Sequence, residues 1–391
     1  MSATLPSVAA MDTAITPFRI DIPQADLDDL AGRLANTRWP EQPAGAGWEY
    51  GIPADHLRGL VDYWRTEYDW REQERRLNAL PQFRTELDGH AVHFVHIRSP
   101  EPDAFPLLLT HGWPGSVVEF REMTGPLTDP RAHGGDPADA FHVVVPSAPG
   151  FPLSGPTRET GWSVARVARA WAELMRRLGY SRYAAHGGDF GALVSRQLGL
   201  IDPEHVAALH VTSVFSASAT PETADFSVEA EKRSVEKGYR YEYELGGYAA
   251  IQSTKPQLVA YGLTDSPVAQ LAWIADVFRA GADPAGAPEA AVDRDALLTN
   301  VMLYWLTATA GSSARYYKDG VETWGEPEPA SSVPTAVAVF PHDIMLPIRR
   351  LAERDNHIVR WTEFDRGGHF AAMEQPALLV EDLRAAIRDH R

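Results

Sequence analysis

The sequence predicts an α/β fold with a mainly parallel central sheet and a helical insertion late in the chain. Between residues 91 and 211, short apolar runs typical of buried strands alternate with segments of helical periodicity, as in parallel sheets covered by helices. The alternation stops over residues 221–320, which are helical and aromatic-rich, and strand character returns at 335–340. Such an insertion predicts a cap over the carboxyl ends of the strands, where ligands bind in these sheets.

Local patterns justify the elements in chain order. The N-terminal segment predicts helices joined by a long meander, because apolar residues recur at helical spacing at 27, 30, 31 and 34 and again at 57, 60, 61 and 64. Apolar runs predict strands at residues 91–97, 105–110, 141–145, 183–185, 206–211 and 335–340, and a shorter strand signal lies at 362–364. We therefore expect four segments in chain order: an N-terminal domain (1–90), the first part of the core (91–220), a cap (221–320) and the second part of the core (321–391).

Charge and composition exclude several classes of function. The 391 residues contain 36 Lys and Arg against 53 Asp and Glu, which gives a formal charge of −17, and there is no cysteine. Such a surface repels phosphates and anionic membranes, so we expect neither a nucleic-acid nor a membrane partner. The lack of cysteine excludes disulfides, thiolate metal sites and a cysteine nucleophile. With no targeting or spanning segment visible, we expect a soluble, cytoplasmic protein.

The strongest local signal is Gly187-Gly188-Asp189-Phe190-Gly191-Ala192, which lies between a predicted strand and a predicted helix. It has the small-x-nucleophile-x-small pattern of the nucleophile elbow, with Asp where many hydrolases have Ser. Glycines suit this turn because it is strained and its neighbouring backbones approach closely. The alternative is a turn without chemistry. Residues 133–137 have nearly the same letters in a polar loop, so the context rather than the letters supports Asp189.

An aspartate nucleophile determines the chemistry to expect. Its carboxylate has a reference pKa of about 3.9 and is therefore ionised at pH 7 without the help of a base. It is suited to attack an sp³ carbon and to form an alkyl ester. Water then splits this ester at the aspartate carbonyl, which requires a base and an oxyanion hole.

The oxyanion hole is predicted in His111-Gly112-Trp113-Pro114-Gly115-Ser116, which follows the strand at 105–110. In α/β-hydrolases, a backbone N–H from this loop pairs with the N–H just after the nucleophile. Here the two donors would be those of Trp113 and Phe190. The alternative is a glycine-proline turn in which Trp113 only packs.

His369 is the predicted base, because it follows two glycines near the C-terminus and completes the order nucleophile, acid, histidine. Asp343 comes after the strand at 335–340 and is the predicted acid, which would hold the imidazole tautomer and stabilise the imidazolium. The neighbouring His342 is a rival whose side chain should point the other way. Asp355 and Asp365 remain alternative acids.

Two tyrosines of the insertion complete the candidate site: Tyr248 within residues 244–256 and Tyr317 within residues 312–319. A tyrosine with a pKa of about 10 stays protonated at pH 7 and can donate a hydrogen bond. Two such donors on one oxygen would stabilise the alkoxide that forms when a strained three-membered ether opens. The alternative for each ring is packing within the cap.

These motifs together resemble the microsomal-type epoxide hydrolases of the α/β-hydrolase superfamily, over nearly the whole chain. The resemblance also includes ordered motifs outside the predicted core, at residues 28–40, 69–78, 252–256 and 265–267. The N-terminal motifs resemble the domain that wraps the catalytic domain and cap in that family. The resemblance implies an epoxide substrate, Asp189 as nucleophile, activation of water by Asp343 and His369, and donation to the epoxide oxygen by Tyr248 and Tyr317.

The resemblance also implies the lining of the site. Trp113 and Phe190 supply the oxyanion N–H groups and, with Pro114, contact the substrate, and the Trp113–Pro114 bond is expected to be cis. Family spacing selects Tyr317, with Tyr316 as the alternative. Neither a cofactor nor a metal is implied, and a homodimer is possible.

Two departures from the family pattern affect the interpretation. The anchor helix of membrane-bound relatives is absent, so the chain resembles soluble bacterial members, which act in detoxification or natural-product pathways. The residue after the nucleophile is Phe190 where relatives often have Trp.

A dehalogenase with the same Asp nucleophile is the first alternative function, although Phe190 offers halide no side-chain donor. A binding protein that kept the fold without catalysis is the second.

Overall fold

The computed structural model describes residues 14–283, 291–320 and 329–391. Over these residues, the centre of the protein is a nine-stranded sheet in the order β1-β2-β3-β5-β4-β6-β7-β8-β9. The strands are β1 (Thr16–Phe18), β2 (Gln82–Leu87), β3 (His90–Ile97), β4 (Phe105–Thr110), β5 (Phe141–Pro146), β6 (Tyr183–Gly187), β7 (Val206–Val211), β8 (Ser331–Val339) and β9 (Asn356–Glu363).

Strand direction changes along this sheet. The pairings among β1, β2, β3 and β5 are antiparallel, whereas those that lead from β5 through β4, β6, β7 and β8 to β9 are parallel. The predicted mainly parallel α/β fold is therefore confirmed. The sequence interpretation missed β1 and β2, which come from the segment expected to hold helices and a meander. In β2 the buried positions include Gln82 and Thr85, so polar residues conceal the alternation of a strand.

Helices cover the sheet and fill the insertion. Three precede β2: α1 (Gln24–Ala35), α2 (Ala54–Thr66) and α3 (Trp70–Leu77). Between β4 and β7 lie α4 (Arg121–Thr128), α5 (Val164–Arg177) and α6 (Phe190–Ile201). The cap helices lie between β7 and β8: α7 (Glu229–Arg240), α8 (Gly247–Thr254), α9 (Pro256–Asp265), α10 (Pro267–Gly281), α11 (Arg294–Leu306) and α12 (Ala310–Gly320). α13 (Arg349–Ala352) lies between β8 and β9, and α14 (Ala371–Glu374) and α15 (Pro376–Ile387) follow β9.

The described helices also bear on the expected domains and the expected lack of a membrane segment. None of them is both long and apolar enough to pass through a membrane. The insertion between β7 and β8 lies where the sequence predicts the cap. The domain limits at residues 90, 220 and 320 stay predictions, and the last of them borders on residues outside the described part.

The parallel half of the sheet brings two loops together. Leu107 and Leu108 of β4 are fully buried, and β4 pairs with β6 so that Thr110 lies opposite Gly187 at the carboxyl ends of the two strands. The segment after β4 and the turn after β6 therefore start side by side. They contain the predicted oxyanion loop and the predicted nucleophile.

The turn after β6 is strained and closely packed. Asp189 has φ 49° and ψ −127°, a region that side chains other than glycine rarely adopt. A Cβ on Gly191 would lie 1.9 Å from the carbonyl oxygen of Thr110, and one on Gly187 would lie 2.1 Å from the carbonyl carbon of Gly191. Only glycine fits at these two positions, as the elbow pattern predicts.

Two hydrogen bonds join the end of α10 to the segment around α14, and a third lies within that segment; we call the three the cap clamp. The N–H of His369 donates to the carbonyl oxygen of Gly281 at 2.8 Å. The carboxylate of Glu374 accepts from the N–H of Asp283 at 2.9 Å and from that of Phe370 at 3.0 Å. The clamp fixes the cap against the segment that carries the predicted base.

We predict that Gly191→Ala lowers the free energy of unfolding by at least about 3 kcal/mol, because the new Cβ would overlap a backbone oxygen of β4. Urea unfolding measures the change. The matched control is Gly238→Ala in α7, where nothing lies within 4 Å of an added Cβ and where alanine favours the helix. Equal stability of the two variants would contradict the close approach of β4 and the turn.

The cap clamp gives a second prediction. Glu374→Ala should lower the free energy of unfolding by about 2 kcal/mol, because two backbone N–H groups lose their acceptor. The control is Glu381→Ala on the exposed side of α15. Urea unfolding of both variants decides the matter, since a loss no greater for Glu374→Ala than for the control would show that the clamp adds nothing to stability.

Candidate active site

The carboxylate of Asp189 lies at the centre of the candidate site. Its Oδ1 accepts a hydrogen bond from the backbone N–H of Trp113 at 2.9 Å. Asp189 directly precedes α6, whose N-terminal end favours negative charge. A Cβ on Gly112 would lie 2.4 Å from the Cβ of Asp189, so the oxyanion loop can approach the nucleophile this closely only with glycine at that position.

The structure brings the two predicted oxyanion donors to the same turn. The N–H of Trp113 already binds one oxygen of Asp189. Phe190 is the first residue of α6, where backbone N–H groups have no acceptor within the helix. The Trp113–Pro114 peptide bond is cis, as expected. Oδ1 thus occupies the position that the carbonyl oxygen of an ester would take.

One cap helix, α11, holds the oxyanion loop through hydrogen bonds. The side chain of Asn300 in α11 donates to the carbonyl oxygen of Pro114 at 2.6 Å and accepts from the hydroxyl of Ser116 at 2.7 Å. The hydroxyl of Tyr304, one turn further along α11, donates to the carbonyl oxygen of Gly115 at 2.8 Å. The loop that binds the nucleophile is therefore fixed by the cap as well as by β4.

His369 connects the predicted acid to the nucleophile. Its Nδ1 lies 2.7 Å from Oδ1 of Asp343, and its Nε2 lies 3.5 Å from Oδ2 of Asp189. Burial alone would lower the pKa of His369, but the two carboxylates outweigh it and hold this pKa well above its ordinary value. His369 is therefore protonated as long as Asp189 carries a charge.

The rival His342 and the two alternative acids lie away from His369. His342 faces the cap, with Nε2 3.4 Å from the carboxylate of Asp283. Asp365 is exposed and pairs with its neighbour Arg366. Asp355 offers its backbone carbonyl to the N–H of Ser331, at the far end of β8. The structure thus brings only Asp343, among the predicted acids, to His369.

Asp343 has two further partners that could not be predicted from the sequence. The hydroxyl of Ser213, which follows β7, lies 3.4 Å from Oδ2 of Asp343. The ammonium group of Lys237, in α7 of the cap, donates to the backbone carbonyl oxygen of Asp343 at 2.5 Å. Both contacts join segments more than a hundred residues apart in the chain.

The two predicted tyrosines meet over the oxyanion loop. The ring of Tyr248 stacks on Trp113 with centroids 5.2 Å apart. Tyr317 meets both rings edge to face, at 5.5 Å from Trp113 and 5.8 Å from Tyr248. Burial, together with the negative charge of Asp189, raises the pKa of both hydroxyls well above its ordinary value. Both tyrosines are therefore protonated donors.

Tyr316 packs within the hydrophobic core. Its ring packs edge-on against Phe151 and Phe190, at 5.3 and 4.8 Å. Its buried hydroxyl has no hydrogen-bond partner among the described residues. Burial raises its pKa, and the charge that acts on it is that of Asp319. The arrangement favours Tyr317 as the donor, as the family spacing does.

A buried carboxyl that the sequence reasoning missed is that of Glu119, in the short helix after the oxyanion loop. Burial, together with the charge of Asp189 and against the opposing charge of His369, raises its pKa to about 7. Its Oε2 occupies the space beside Gly115, where an added Cβ would lie only 2.3 Å away. The second glycine of the predicted loop is the sequence signal that could have indicated this buried carboxyl.

Across the described residues, no group of three or more His, Asp or Glu side chains is placed to hold a metal ion.

Comparison with known proteins agrees with this geometry. The family model "Epoxide hydrolase N terminus" matches residues 15–120, and the model "alpha/beta hydrolase fold" matches residues 106–376. A sequence from Stigmatella aurantiaca, provisionally named an epoxide hydrolase, is 46% identical over 96% of this chain and 86% of its own length. Epoxide hydrolase 1 of Sus scrofa is 34% identical over 96% of this chain and 89% of its own length.

Solved structures give the same result. The epoxide hydrolase of Aspergillus niger superposes with a TM-score of 0.87 at 30% identity, covering 97% of this chain and 98% of that one. The juvenile hormone epoxide hydrolase of Bombyx mori gives a TM-score of 0.87 at 30% identity, with 97% and 96% covered. The chain therefore belongs to the epoxide hydrolases that combine this N-terminal region with the α/β-hydrolase fold.

Proposed function

We propose that this enzyme opens its epoxide through a covalent ester on Asp189. The observation that carries the proposal is the position of one carboxylate, with Oδ1 on the Trp113 N–H and Oδ2 3.5 Å from His369, close to two protonated tyrosines. Oδ2 attacks an epoxide carbon and the C–O bond breaks. The electron pair goes to the epoxide oxygen, which Tyr248 and Tyr317 stabilise and to which one of them gives its proton.

Ester formation prepares the second step. Once Asp189 is esterified, its negative charge is gone, and one of the two carboxylates that hold the pKa of His369 high no longer acts. Burial then favours the neutral imidazole, so His369 releases its proton to solvent and can then take one from the attacking water. Asp343 holds the ring and stabilises the imidazolium that results.

Water then attacks the carbonyl carbon of the Asp189 ester. The negative charge that develops on Oδ1 is stabilised by the N–H groups of Trp113 and Phe190. The intermediate collapses, the bond between Cγ of Asp189 and the ester oxygen Oδ2 breaks, and the vicinal diol leaves with that oxygen of Asp189. The proton released by ester hydrolysis restores the tyrosine that gave up its own.

The walls of the site favour an apolar epoxide. Trp113, Phe190 and the two tyrosines contribute aromatic rings around the nucleophile, and Pro114 lies beside them in the loop. Phe190 has no side-chain hydrogen-bond donor, which disfavours the dehalogenase alternative because halide release needs such donors. A homodimer, a cytoplasmic location, the lack of a nucleic-acid partner, and a role in detoxification or natural-product formation remain proposals.

The covalent mechanism predicts the route of an isotope. In a single turnover with the enzyme in excess, in water enriched in ¹⁸O, the label should enter the Asp189 carboxylate while the first diol released carries an unlabelled enzyme oxygen. Mass spectrometry of the diol and of the peptide that contains Asp189 measures both. Label that goes directly into the first diol would overturn the covalent mechanism.

A variant of the base should trap the ester. His369→Gln is expected to slow ester hydrolysis by about 10²–10⁴-fold, because no general base remains, while alkylation of Asp189 continues. Intact-mass spectrometry should then show the enzyme plus one epoxide. His357→Gln, at an exposed histidine of β9, is the matched control and should turn over without an adduct. Continued turnover of His369→Gln without any adduct would refute the assignment of the base.

A further inference from the structure

A wide turn of the cap places a third tyrosine next to the proposed donors. Residues Tyr241–Leu245 form a π-helix between α7 and α8, a geometry that is rare and frequent at functional sites. The N–H of Gly246 donates to the carbonyl oxygen of Tyr241 at 2.6 Å, and a Cβ on Gly246 would lie 2.7 Å from that oxygen. The glycine before α8 therefore permits this turn.

The turn directs one tyrosine of the segment inward and leaves two outside. Tyr239 and Tyr243 stack on each other with centroids 5.8 Å apart and remain 47% and 73% exposed. Tyr241, between them in sequence, is half-buried against the hydrophobic core. Its hydroxyl lies 3.3 Å from that of Tyr248, and the two rings meet edge to face at 6.5 Å.

The surroundings of Tyr241 are those of the active site. Burial, together with the charge of Asp189, raises its pKa to about 12. The hydroxyl of Tyr241 is thus protonated and lies within the field of the nucleophile. The hydroxyl of Tyr241 lies within hydrogen-bond distance of the Tyr248 hydroxyl, which also has a side-chain hydrogen bond with Tyr317.

We propose that Tyr241 is a positioning residue for epoxide opening, which donates a hydrogen bond to the oxygen of Tyr248 while Tyr248 donates to the epoxide oxygen. The inference rests on the proposed function, because it assigns Tyr248 as a donor. When the C–O bond breaks, the proton of Tyr248 moves to the alkoxide and a buried phenolate remains. The O–H of Tyr241 stabilises this phenolate and keeps its own proton, and ester hydrolysis later returns a proton to Tyr248.

The role of Tyr241 is confined to one step and depends on one property of the substrate. A donor to Tyr248 assists alkylation of Asp189 but takes no part in hydrolysis of the ester, where His369 and the oxyanion hole act. The hydrogen bond from Tyr241 speeds alkylation most when the alkoxide that forms is strongly basic, because such an alkoxide takes the proton of Tyr248 early in the breaking of the C–O bond. A tyrosine that merely packs would affect both steps and all epoxides alike.

The test compares Tyr241→Phe with Tyr243→Phe, which removes the hydroxyl of the exposed neighbour in the same π-helix. The probes are 1,2-epoxybutane and 1,1,1-trifluoro-2,3-epoxypropane, whose alkoxide is less basic. Single-turnover quench and mass spectrometry give the rates of alkylation and of ester hydrolysis. We expect Tyr241→Phe to alkylate about tenfold more slowly with epoxybutane, a loss typical of one hydrogen bond, and less than threefold more slowly with the trifluoro epoxide. Ester hydrolysis and the behaviour of Tyr243→Phe should remain unchanged.

The outcomes separate the inference from the function on which it rests. If wild-type enzyme forms no adduct on Asp189 with either epoxide, the proposed function fails and the inference fails with it. If wild-type enzyme alkylates but Tyr241→Phe matches Tyr243→Phe, the inference alone is wrong. Equal losses for both epoxides, slower ester hydrolysis, or a lower midpoint of thermal unfolding would assign Tyr241 to packing.

Discussion

The close approach of the turn after β6 to the loop after β4 is the constraint on which the site depends. The contact between Gly191 and the carbonyl oxygen of Thr110 is possible only without a side chain, and it holds Asp189 at a positive φ. That conformation places the carboxylate beside the Trp113 N–H and at the N-terminal end of α6. The strain of one residue is thus offset by the packing of two strands whose register is fixed within the sheet.

The charge of Asp189 then controls the protonation of the groups around it. In the free enzyme it helps to keep His369 protonated and raises the pKa of Tyr248 and Tyr317. The tyrosines are therefore donors when the epoxide arrives, and His369 is not yet a base. Esterification removes the charge, and the same burial that kept the tyrosines neutral now favours neutral imidazole. In the proposed mechanism, the order of the two steps follows from the loss of a single charge.

Much of the fold and most of the candidate site could be predicted from the sequence, because both depend on local signals. Apolar runs located the parallel strands, and glycines around Asp189 and His369 marked turns that need them. What could not be predicted depends on distant contacts. The amino-acid sequence alone does not distinguish Tyr241 from Tyr239 and Tyr243, because it is the π-helix of the folded chain that turns one of them inward. β2 was not predicted because polar residues occupy two of its three buried positions.

The cap helices contact the predicted acid, base and oxyanion loop as well as covering them. Asn300 and Tyr304 hold the oxyanion loop, Lys237 holds the backbone of Asp343, and the carbonyl oxygen of Gly281 holds the N–H of His369. At about 1 kcal/mol for each hydrogen bond, lifting the cap as one body would cost several kcal/mol and would release the acid, the base and the oxyanion loop together. The site is therefore preorganised before the epoxide binds, and electrostatic stabilisation of the alkoxide and the oxyanion requires little rearrangement during the reaction.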